Sequence, residues 1–163
     1  MTNNIQLKWI SSHPNCEVKQ HLSNEQNGIF ATTSFSKGDI IIDFGSSKIV
    51  ATPNYLTVQL AENKHIHLSP EYLQYINHSC EPNVLFNTST MQLECLTEVA
   101  IGDELFFFYP ATEWQMSQVF DCHCGKAACV GLIQGAADLS VEVLHKYKLT
   151  DFIKSMAQKY KEF

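Results

Sequence analysis

The sequence predicts a mainly β protein that ends in a short helical tail. Short apolar segments alternate with turn signals through the first two thirds of the chain, and apolar residues take helical spacing only near its end. The 163 residues, 45% of them hydrophobic, suit a single domain with a substantial core. No internal repeat or low-complexity linker divides the sequence.

Five segments combine an apolar or alternating pattern with a neighbouring turn, and each is predicted to be a strand. They are GIFATTSF (28–35), IIIDF (40–44), YLTVQL (55–60), LECL (93–96) and LFFFY (105–109). SKGD (36–39) and IGD (101–103) supply turns between them.

The end of the chain is predicted to be helical. Ser140 and Thr150 are both suited to cap a helix N-terminus. The apolar residues that follow Thr150 fall on one helical face, which we expect to pack against the core. They are Phe152, Ile153, Met156, Ala157 and Tyr160.

The charge balance restricts the classes of partner. The formal net charge is −6, and all eleven basic residues are lysines. The lack of arginine, the usual side chain for gripping phosphate and guanine edges, argues against direct nucleic-acid binding. A negative surface favours a lysine-rich polypeptide, although an acidic balance that serves only solubility is an equal alternative.

The start of the chain and its hydropathy predict no secretion and no membrane span. MTNNIQLKWI lacks the basic end and apolar stretch of a signal peptide. No apolar run approaches the ~20 residues of a membrane-spanning helix. We therefore expect a soluble intracellular protein, in which the six cysteines are thiols or metal ligands rather than disulfides.

A cluster of cysteines near the C-terminus predicts a structural zinc site. Cys122, Cys124 and Cys129 occur in CHCGKAAC, and zinc prefers four such ligands in a tetrahedron. Cys80, in the polar segment NHSCEPN, is the favoured fourth ligand, with His123 as the local competitor. The alternatives are three free thiols or, less favoured by the spacing, a redox dithiol.

Four segments, in this order, resemble the SET-domain protein lysine methyltransferases. They are NGIFATTSFSKGDIIIDF (27–44), NHSCEPN (77–83), GDELFFFY (102–109) and CHCGKAAC (122–129). The resemblance implies small curved β-sheets around a pseudoknot-like crossing, where the NHSC segment passes the segment before the tyrosine. It also implies a SET domain over 1–121, a post-SET-like zinc loop over 122–135 and a helical extension over 136–163, in one compact unit.

The resemblance further implies how the site is composed. Asn77 and His78 would hold S-adenosylmethionine, Tyr109 would be the catalytic tyrosine, and Cys80 would turn away to join the zinc site. Phe107 matches the position that limits the number of methyl groups, and a phenylalanine there implies more than one methylation. Further cofactor contacts are implied for four positions at which plain packing is an alternative: Gly28, Phe30, Tyr55 and Ile133.

The implied activity is transfer of methyl groups to a lysine of a protein, a histone being one candidate. Three positions depart from the family pattern, with Gln26, Phe44 and Phe108 where glycine, tyrosine and aspartate are common. They leave open a degenerate module that binds a peptide without catalysis. A cysteine hydrolase that uses Cys80 is a further alternative, but a cysteine bound to zinc could not act as nucleophile.

Overall fold

The computed structural model describes residues 6–163. Within that range, thirteen strands form five small sheets, and two α-helices lie near the C-terminus. The strands are β1 (Leu7–His13), β2 (Cys16–His21), β3 (Asn27–Ala31), β4 (Ile40–Asp43), β5 (Gly45–Val50), β6 (Thr57–Ala61), β7 (Lys64–Ser69), β8 (Asn77–His78), β9 (Val84–Asn87), β10 (Gln92–Cys95), β11 (Phe106–Phe107), β12 (Phe120–Asp121) and β13 (Leu132–Ile133). The helices are α1 (Val141–Leu144) and α2 (Asp151–Tyr160), and 3₁₀ turns cover Glu71–Tyr75, Tyr109–Ala111 and Ala136–Asp138.

The sheets are small and mostly antiparallel. The three-stranded sheets have the orders β1-β2-β3, β4-β10-β9 and β5-β7-β6, and β12 pairs with β13. The pair β8 and β11 is parallel and joins segments that are distant in sequence. The predicted fold class, mainly β with small sheets and a short helical tail, is confirmed.

Three predicted strands differ from the structure by more than one residue at an end. β3 ends at Ala31 rather than Phe35, and Phe35 forms only an isolated bridge with Val99. β6 begins at Thr57 rather than Tyr55. Its first three residues are all buried. The polar Gln59 is one of them, and its side-chain oxygen accepts a hydrogen bond from the amide of Trp114 instead of facing solvent. The segment 105–109 pairs only at Phe106–Phe107, and Tyr109 opens a 3₁₀ turn in which Pro110 has no N–H to continue the ladder.

Eight of the thirteen strands, among them β1, β5 and β7, were not predicted as strands from the sequence. β1 and β5 carry mostly exposed or half-buried side chains, so no apolar alternation marks them. They are strands because they pair with neighbours in register, β1 with β2 and β5 with β7. Pairing between strands therefore decides these elements, which a local pattern cannot show.

The buried residues form two hydrophobic cores. The first core packs the strands from β2 to β11 and contains Cys16, Val18, Ile29, Ala31, Ile41, Phe44, Val58, Ile66, Leu68, Leu73, Ile76, Val84, Phe86, Leu93, Cys95, Val99, Leu105 and Phe107. The second core joins the cysteine region to the C-terminal helices and contains Cys80, Leu85, Phe108, Ala111, Ile133, Ala136, Leu139, Leu144, Leu149, Ile153 and Ala157.

The helical tail begins at the predicted caps. The hydroxyl of Ser140 accepts from the amide of Val143 at 3.3 Å, and that of Thr150 accepts from the amide of Ile153 at 3.4 Å. On α2, Ile153, Met156 and Ala157 are buried, whereas Tyr160 is 56% exposed. Most of the predicted apolar stripe thus packs against the core, and Tyr160 is the exception. None of the helices in residues 6–163 has the length and apolar character to cross a membrane.

Candidate active site

A parallel pairing of two short strands brings the motif segments together. Asn77 lies opposite Phe106, and His78 lies opposite Phe107. Ser79 donates its amide to the carbonyl of Phe107 at 3.1 Å, which extends the pairing by one residue. The predicted crossing of the NHSC segment with the segment before Tyr109 is present.

Asn83 fixes this crossing with both ends of its side chain. Its Oδ1 accepts from the amide of Phe106 at 2.8 Å, and its Nδ2 donates to the carbonyl of Glu104 at 2.8 Å. Its own amide donates to the carbonyl of Phe106 at 3.1 Å. The last residue of NHSCEPN therefore adds hydrogen bonds to Glu104 and Phe106, beside the pairing of β11 with β8.

His78 contacts Tyr109 directly. The amide of Tyr109 donates to Nδ1 of His78 at 3.3 Å, and the two rings meet edge to face with centroids 5.2 Å apart. Burial lowers the pKa of His78 to about 4, so the imidazole is neutral at neutral pH. Nε2 lies 3.4 Å from Sγ of Cys80, so one ring links the tyrosine to the cysteine cluster.

Asn77 is held by a network that the sequence did not indicate. Its Nδ2 donates to the carbonyl of Asn27 at 2.9 Å and to Oε1 of Glu104 at 3.1 Å. Oε2 of Glu104 lies 2.9 Å from Nε2 of His21. Glu104 belongs to GDELFFFY but was assigned no role, and His21 lies outside every recognised segment, so no signal in the sequence marked their pairing.

Gly28 is explained by the same network. A Cβ atom at this position would lie 2.3 Å from Oε1 of Glu104, far inside van der Waals contact. Because Asn77 holds that oxygen, Glu104 cannot move aside without losing the hydrogen bond. Gly28 thus permits the close approach of the Glu104 carboxylate to β3.

The motif residues surround a large cavity. Its volume is about 1180 Å³, and its walls include Tyr55, Asn77, His78, Phe107 and Tyr109. This volume exceeds the about 300–1,000 Å³ that ligand pockets usually measure. Its lining residues range from His21 to Lys126, so segments that are distant in sequence meet around it.

Tyr109 and Phe107 form adjacent parts of the cavity wall. Their ring centroids lie 4.6 Å apart, and the rings of Phe107 and Phe86 pack edge to face with centroids 5.0 Å apart. Burial raises the pKa of Tyr109 to about 12, so its hydroxyl stays protonated at neutral pH. The phenol is therefore a hydrogen-bond donor and acceptor rather than a base.

The remaining predicted cofactor residues take different positions. Tyr55 stands at the rim and is 73% exposed. Phe30 and Ile133 are buried, at 5% and 0% exposure, and neither they nor Gly28 line the cavity. The structure thus brings Asn77, His78 and Tyr109 together around the cavity. Gly28, Phe30 and Ile133 do not line it, and contact of these three residues with a cofactor stays a prediction.

The cavity has features that fit S-adenosylmethionine. Asn27 lines it beside Asn77, and its buried Oδ1 has no hydrogen-bond partner among residues 6–163. A buried acceptor without a partner is costly, and an ammonium group such as that of a methionine moiety would satisfy it. Aromatic and apolar side chains on the same walls suit an adenine and a thioether chain.

The four predicted cysteines form one cluster. The Sγ atoms of Cys80, Cys122, Cys124 and Cys129 all lie within 4.8 Å of one another, and those of Cys80 and Cys122 are 3.8 Å apart. A tetrahedral zinc with Zn–S bonds of about 2.3 Å would hold its sulfurs about 3.8 Å apart. The donor set therefore fits a structural zinc ion with no open coordination position.

Contacts from the backbone support this cluster. The amide of Val130 donates to Sγ of Cys80 at 3.4 Å, as amides around thiolate sites do. Tyr147 donates its hydroxyl to the carbonyl of Cys80 at 3.0 Å, which ties the C-terminal segment to the NHSC motif. His123 lies outside the thiol cluster and instead lines the large cavity.

The unusual Phe108 is accounted for by the C-terminal segment. Its ring is 1% exposed and stacks on Tyr147, with centroids 3.6 Å apart and planes at 4°. An aspartate there would place a charge in the second core. Phe44, the other buried departure, packs edge to face on Phe86 at 5.2 Å behind the cavity.

Comparisons with known proteins agree with this geometry. The model of the SET domain family matches residues 26–110, just over half of the chain. The chain is 41% identical over 104 residues to Methyltransferase flvH of Aspergillus flavus, an alignment that covers 63% of this chain. The chain spans 58% of the length of that relative.

Proposed function

The chain belongs to the SET-domain family, and from that premise we propose that it transfers a methyl group from S-adenosylmethionine to a lysine side chain of a protein. The observation that carries the proposal is the parallel pairing of β8 with β11, which lines one cavity with Asn77, His78 and Tyr109. When bound, S-adenosylmethionine supplies an electrophilic methyl group on a sulfonium ion.

Asn77, His78 and Asn27 are the residues that would hold the donor. Asn77 has its amide nitrogen engaged by Glu104 and Asn27, so its carbonyl oxygen is the free end of the side chain. Asn27 offers its unpartnered Oδ1 from the same part of the wall. His78, neutral and fixed by Tyr109 and Cys80, offers a rigid surface rather than a charge.

Tyr109 would position the amine that receives the methyl group. Only the neutral amine has the lone pair for attack, and a free lysine has a pKa near 10.4. Burial in a partly apolar cavity favours the neutral amine, and the protonated phenol can orient it by hydrogen bonding. Phe107 beside it offers no hydroxyl to retain water, which favours repeated methylation.

The charges near the cavity suit a cationic substrate. Glu71 and Asp121 are exposed acidic residues on its walls, against one exposed basic residue, Lys126, and the chain as a whole carries a net charge of −6. Such a field attracts an ammonium group and a lysine-rich segment around it. We propose a protein substrate, with histones as one class to be assayed.

Methyl transfer to a lysine-rich protein mixture, with and without Tyr109→Phe, tests the function. The wild type should incorporate labelled methyl groups, and Tyr109→Phe should lower kcat about 100-fold or more while donor affinity is kept. Tyr72→Phe is the matched control, because it removes a buried hydroxyl outside the cavity and should leave kcat unchanged.

Three outcomes would contradict the proposal or a part of it. Label that appears equally in a mixture whose lysines have been acetylated would exclude lysine as the acceptor. Full activity of Tyr109→Phe would remove the role of the phenol. A wild type that binds a partner peptide without any methyl transfer would favour the degenerate binding module.

A further inference from the structure

A hydrogen bond between two residues that are distant in sequence lies in the wall of the large cavity. Nε2 of His21, the last residue of β2, is 2.9 Å from Oε2 of Glu104. Both residues line the cavity, and their side chains are largely buried, at 18% and 11% exposure. A carboxylate oxygen only accepts hydrogen bonds, so Nε2 of His21 carries the hydrogen.

Glu104 connects three strands that meet at this wall. Oε2 accepts from His21 at the end of β2, and Oε1 accepts from Nδ2 of Asn77 on β8 at 3.1 Å. The backbone of Glu104 forms an antiparallel bridge with Phe30 of β3. Because both carboxylate oxygens have partners, the bond to His21 fixes the carboxylate that Asn77 contacts.

The side-chain amide of Asn77 has one favourable orientation in this network. Both hydrogens of Nδ2 are used, one by the carbonyl of Asn27 at 2.9 Å and one by Glu104. A rotated amide would place Oδ1 against two acceptors, a carbonyl and a carboxylate, with no hydrogen between them. Oδ1 is therefore the free acceptor of a side chain that lines the cavity.

A second free acceptor, Oδ1 of Asn27, depends on the same hydrogen bond. This buried oxygen has no partner within residues 6–163. β2 ends at His21 and β3 begins at Asn27, and the His21 amide donates to the carbonyl of Gln26 at 2.8 Å across the turn between them. The bond from His21 to Glu104 therefore holds the turn that carries Asn27 beside Asn77.

We propose that His21 and Glu104 are positioning residues, which orient the amide oxygens of Asn77 and Asn27 to accept hydrogen bonds from the ammonium group of the methyl donor. The inference rests on the proposed function, which identifies the donor as S-adenosylmethionine. The methionine part of that molecule carries the ammonium group. His21 and Glu104 act through the two asparagines, and the negative charge of Glu104 further favours a cation at this wall.

Two small molecules separate this positioning role from general packing. S-adenosylhomocysteine and 5′-methylthioadenosine are both adenosyl thioethers, but only the first has the ammonium and carboxylate groups of an amino acid. In His21→Leu, Glu104 loses the donor that fixes it, so we expect the Kd of S-adenosylhomocysteine to rise about tenfold. The Kd of 5′-methylthioadenosine should stay unchanged. Isothermal titration calorimetry measures both constants without a protein substrate.

A conservative variant and a matched control complete the binding test. His21→Gln keeps a side-chain N–H that can donate to Glu104, so it should retain the wild-type Kd for S-adenosylhomocysteine. His13→Leu is the control, because it removes a half-buried, hydrogen-bonded imidazole on β1 that lies outside the large cavity. It should bind both molecules like the wild type.

Glu104→Gln tests the other end of the hydrogen bond and carries the test if His21→Leu does not fold. Its amide oxygen can still accept from Asn77, but its NH₂ group then meets the N–H of His21. It should weaken the binding of S-adenosylhomocysteine alone. The double variant with His21→Leu should bind no more weakly than Glu104→Gln, since both changes remove one bond. Additive losses would overturn the joint role.

Kinetics provide a further readout. His21→Leu should raise the donor KM about tenfold and leave kcat unchanged, because the amide of Tyr109 is held by His78 rather than by Asn77. Equal weakening of both small molecules, wild-type affinity in His21→Leu, or a lower kcat at saturating donor would overturn the positioning role. If the wild type transfers no methyl group but His21→Leu selectively loses S-adenosylhomocysteine, the proposed function fails and the positioning role stands.

Discussion

Phe107 and Phe108 are adjacent, yet they belong to different hydrophobic cores. Phe107 packs edge to face on Phe86 in the first core, with centroids 5.0 Å apart. Phe108 stacks on Tyr147 in the second core at 3.6 Å. Successive side chains of an extended segment point in opposite directions, so this segment divides the two cores.

The two cores are held in different ways. The first core is built from paired strands, which satisfy their backbone groups and bury apolar faces together. The second core joins loops, the two-residue strands β12 and β13, the cysteine cluster and the C-terminal helices. With so little pairing of its own, we infer that the second core depends on zinc for its stability.

Removal of the zinc ion should therefore give the largest difference in stability between the two cores. We expect Cys124→Ser to lose zinc and to lower the hydrogen-exchange protection of α2 more than that of β2 and β3. Binding of structural zinc contributes about 10–16 kcal/mol of folding free energy in zinc-finger peptides. We therefore expect the second core to lose its order when the zinc is removed. Metal analysis and site-resolved hydrogen exchange measure both.

The matched control removes a thiol from the first core. Cys95 is 1% exposed and lies outside the cysteine cluster, so Cys95→Ala should keep one zinc per chain and lower stability only modestly. A Cys124→Ser protein that retains one zinc per chain, with α2 as protected as in the wild type, would disprove the dependence on zinc.

Truncation of the two phenylalanines should produce effects of intermediate size that differ in kind. Phe108→Ala should destabilise the protein by about 3–5 kcal/mol, because it empties a fully buried site. Below its lowered Tm it should still bind the donor like the wild type. Phe107→Ala should alter methyl-transfer kinetics as well, since Phe107 lines the cavity. Unfolding curves and initial rates at a permissive temperature distinguish them; equal loss of donor affinity in both would contradict the division.

The sequence predicted what local patterns and short motifs encode. Helix caps at Ser140 and Thr150 are local, because each hydroxyl binds an amide three residues away. The convergence of Cys80 with the later cysteines and of His78 with Tyr109 was predicted only through the resemblance. Cys80 and Cys122 are 42 positions apart, and His78 and Tyr109 are 31 positions apart.

The polar pairs that position the site were not predictable in this way. His21 and Glu104 are 83 positions apart, and neither lies in a periodic pattern that would reveal a partner. His65 and Gln59 were part of ordinary strand composition until the fold placed Glu113 against them. A single buried polar side chain has no sequence signature, because its role depends on which distant group forms its hydrogen bond.

An ion pair between the cores should give the smallest effect. Lys148, which lies next to the second core, donates a hydrogen bond to Glu94. Glu94 lies on β10, a strand of the first core. Hydrogen bonding to Lys148 lowers the pKa of Glu94. A carboxylate whose folded pKa is lowered adds stability above its unfolded pKa, about 4.3, and loses it as pH falls through the folded value.

A double-mutant cycle of Lys148→Met and Glu94→Gln measures this coupling. We expect a coupling free energy below about 1 kcal/mol at pH 7, since Lys148 is 46% exposed. It should be unchanged at pH 5, because Glu94 stays ionised there, and it should vanish only below the usual carboxyl range. A coupling free energy that already falls between pH 7 and pH 5 would contradict this prediction. So would one that persists after Glu94 is protonated, because Lys148 and Glu94 would then interact by something other than their charges.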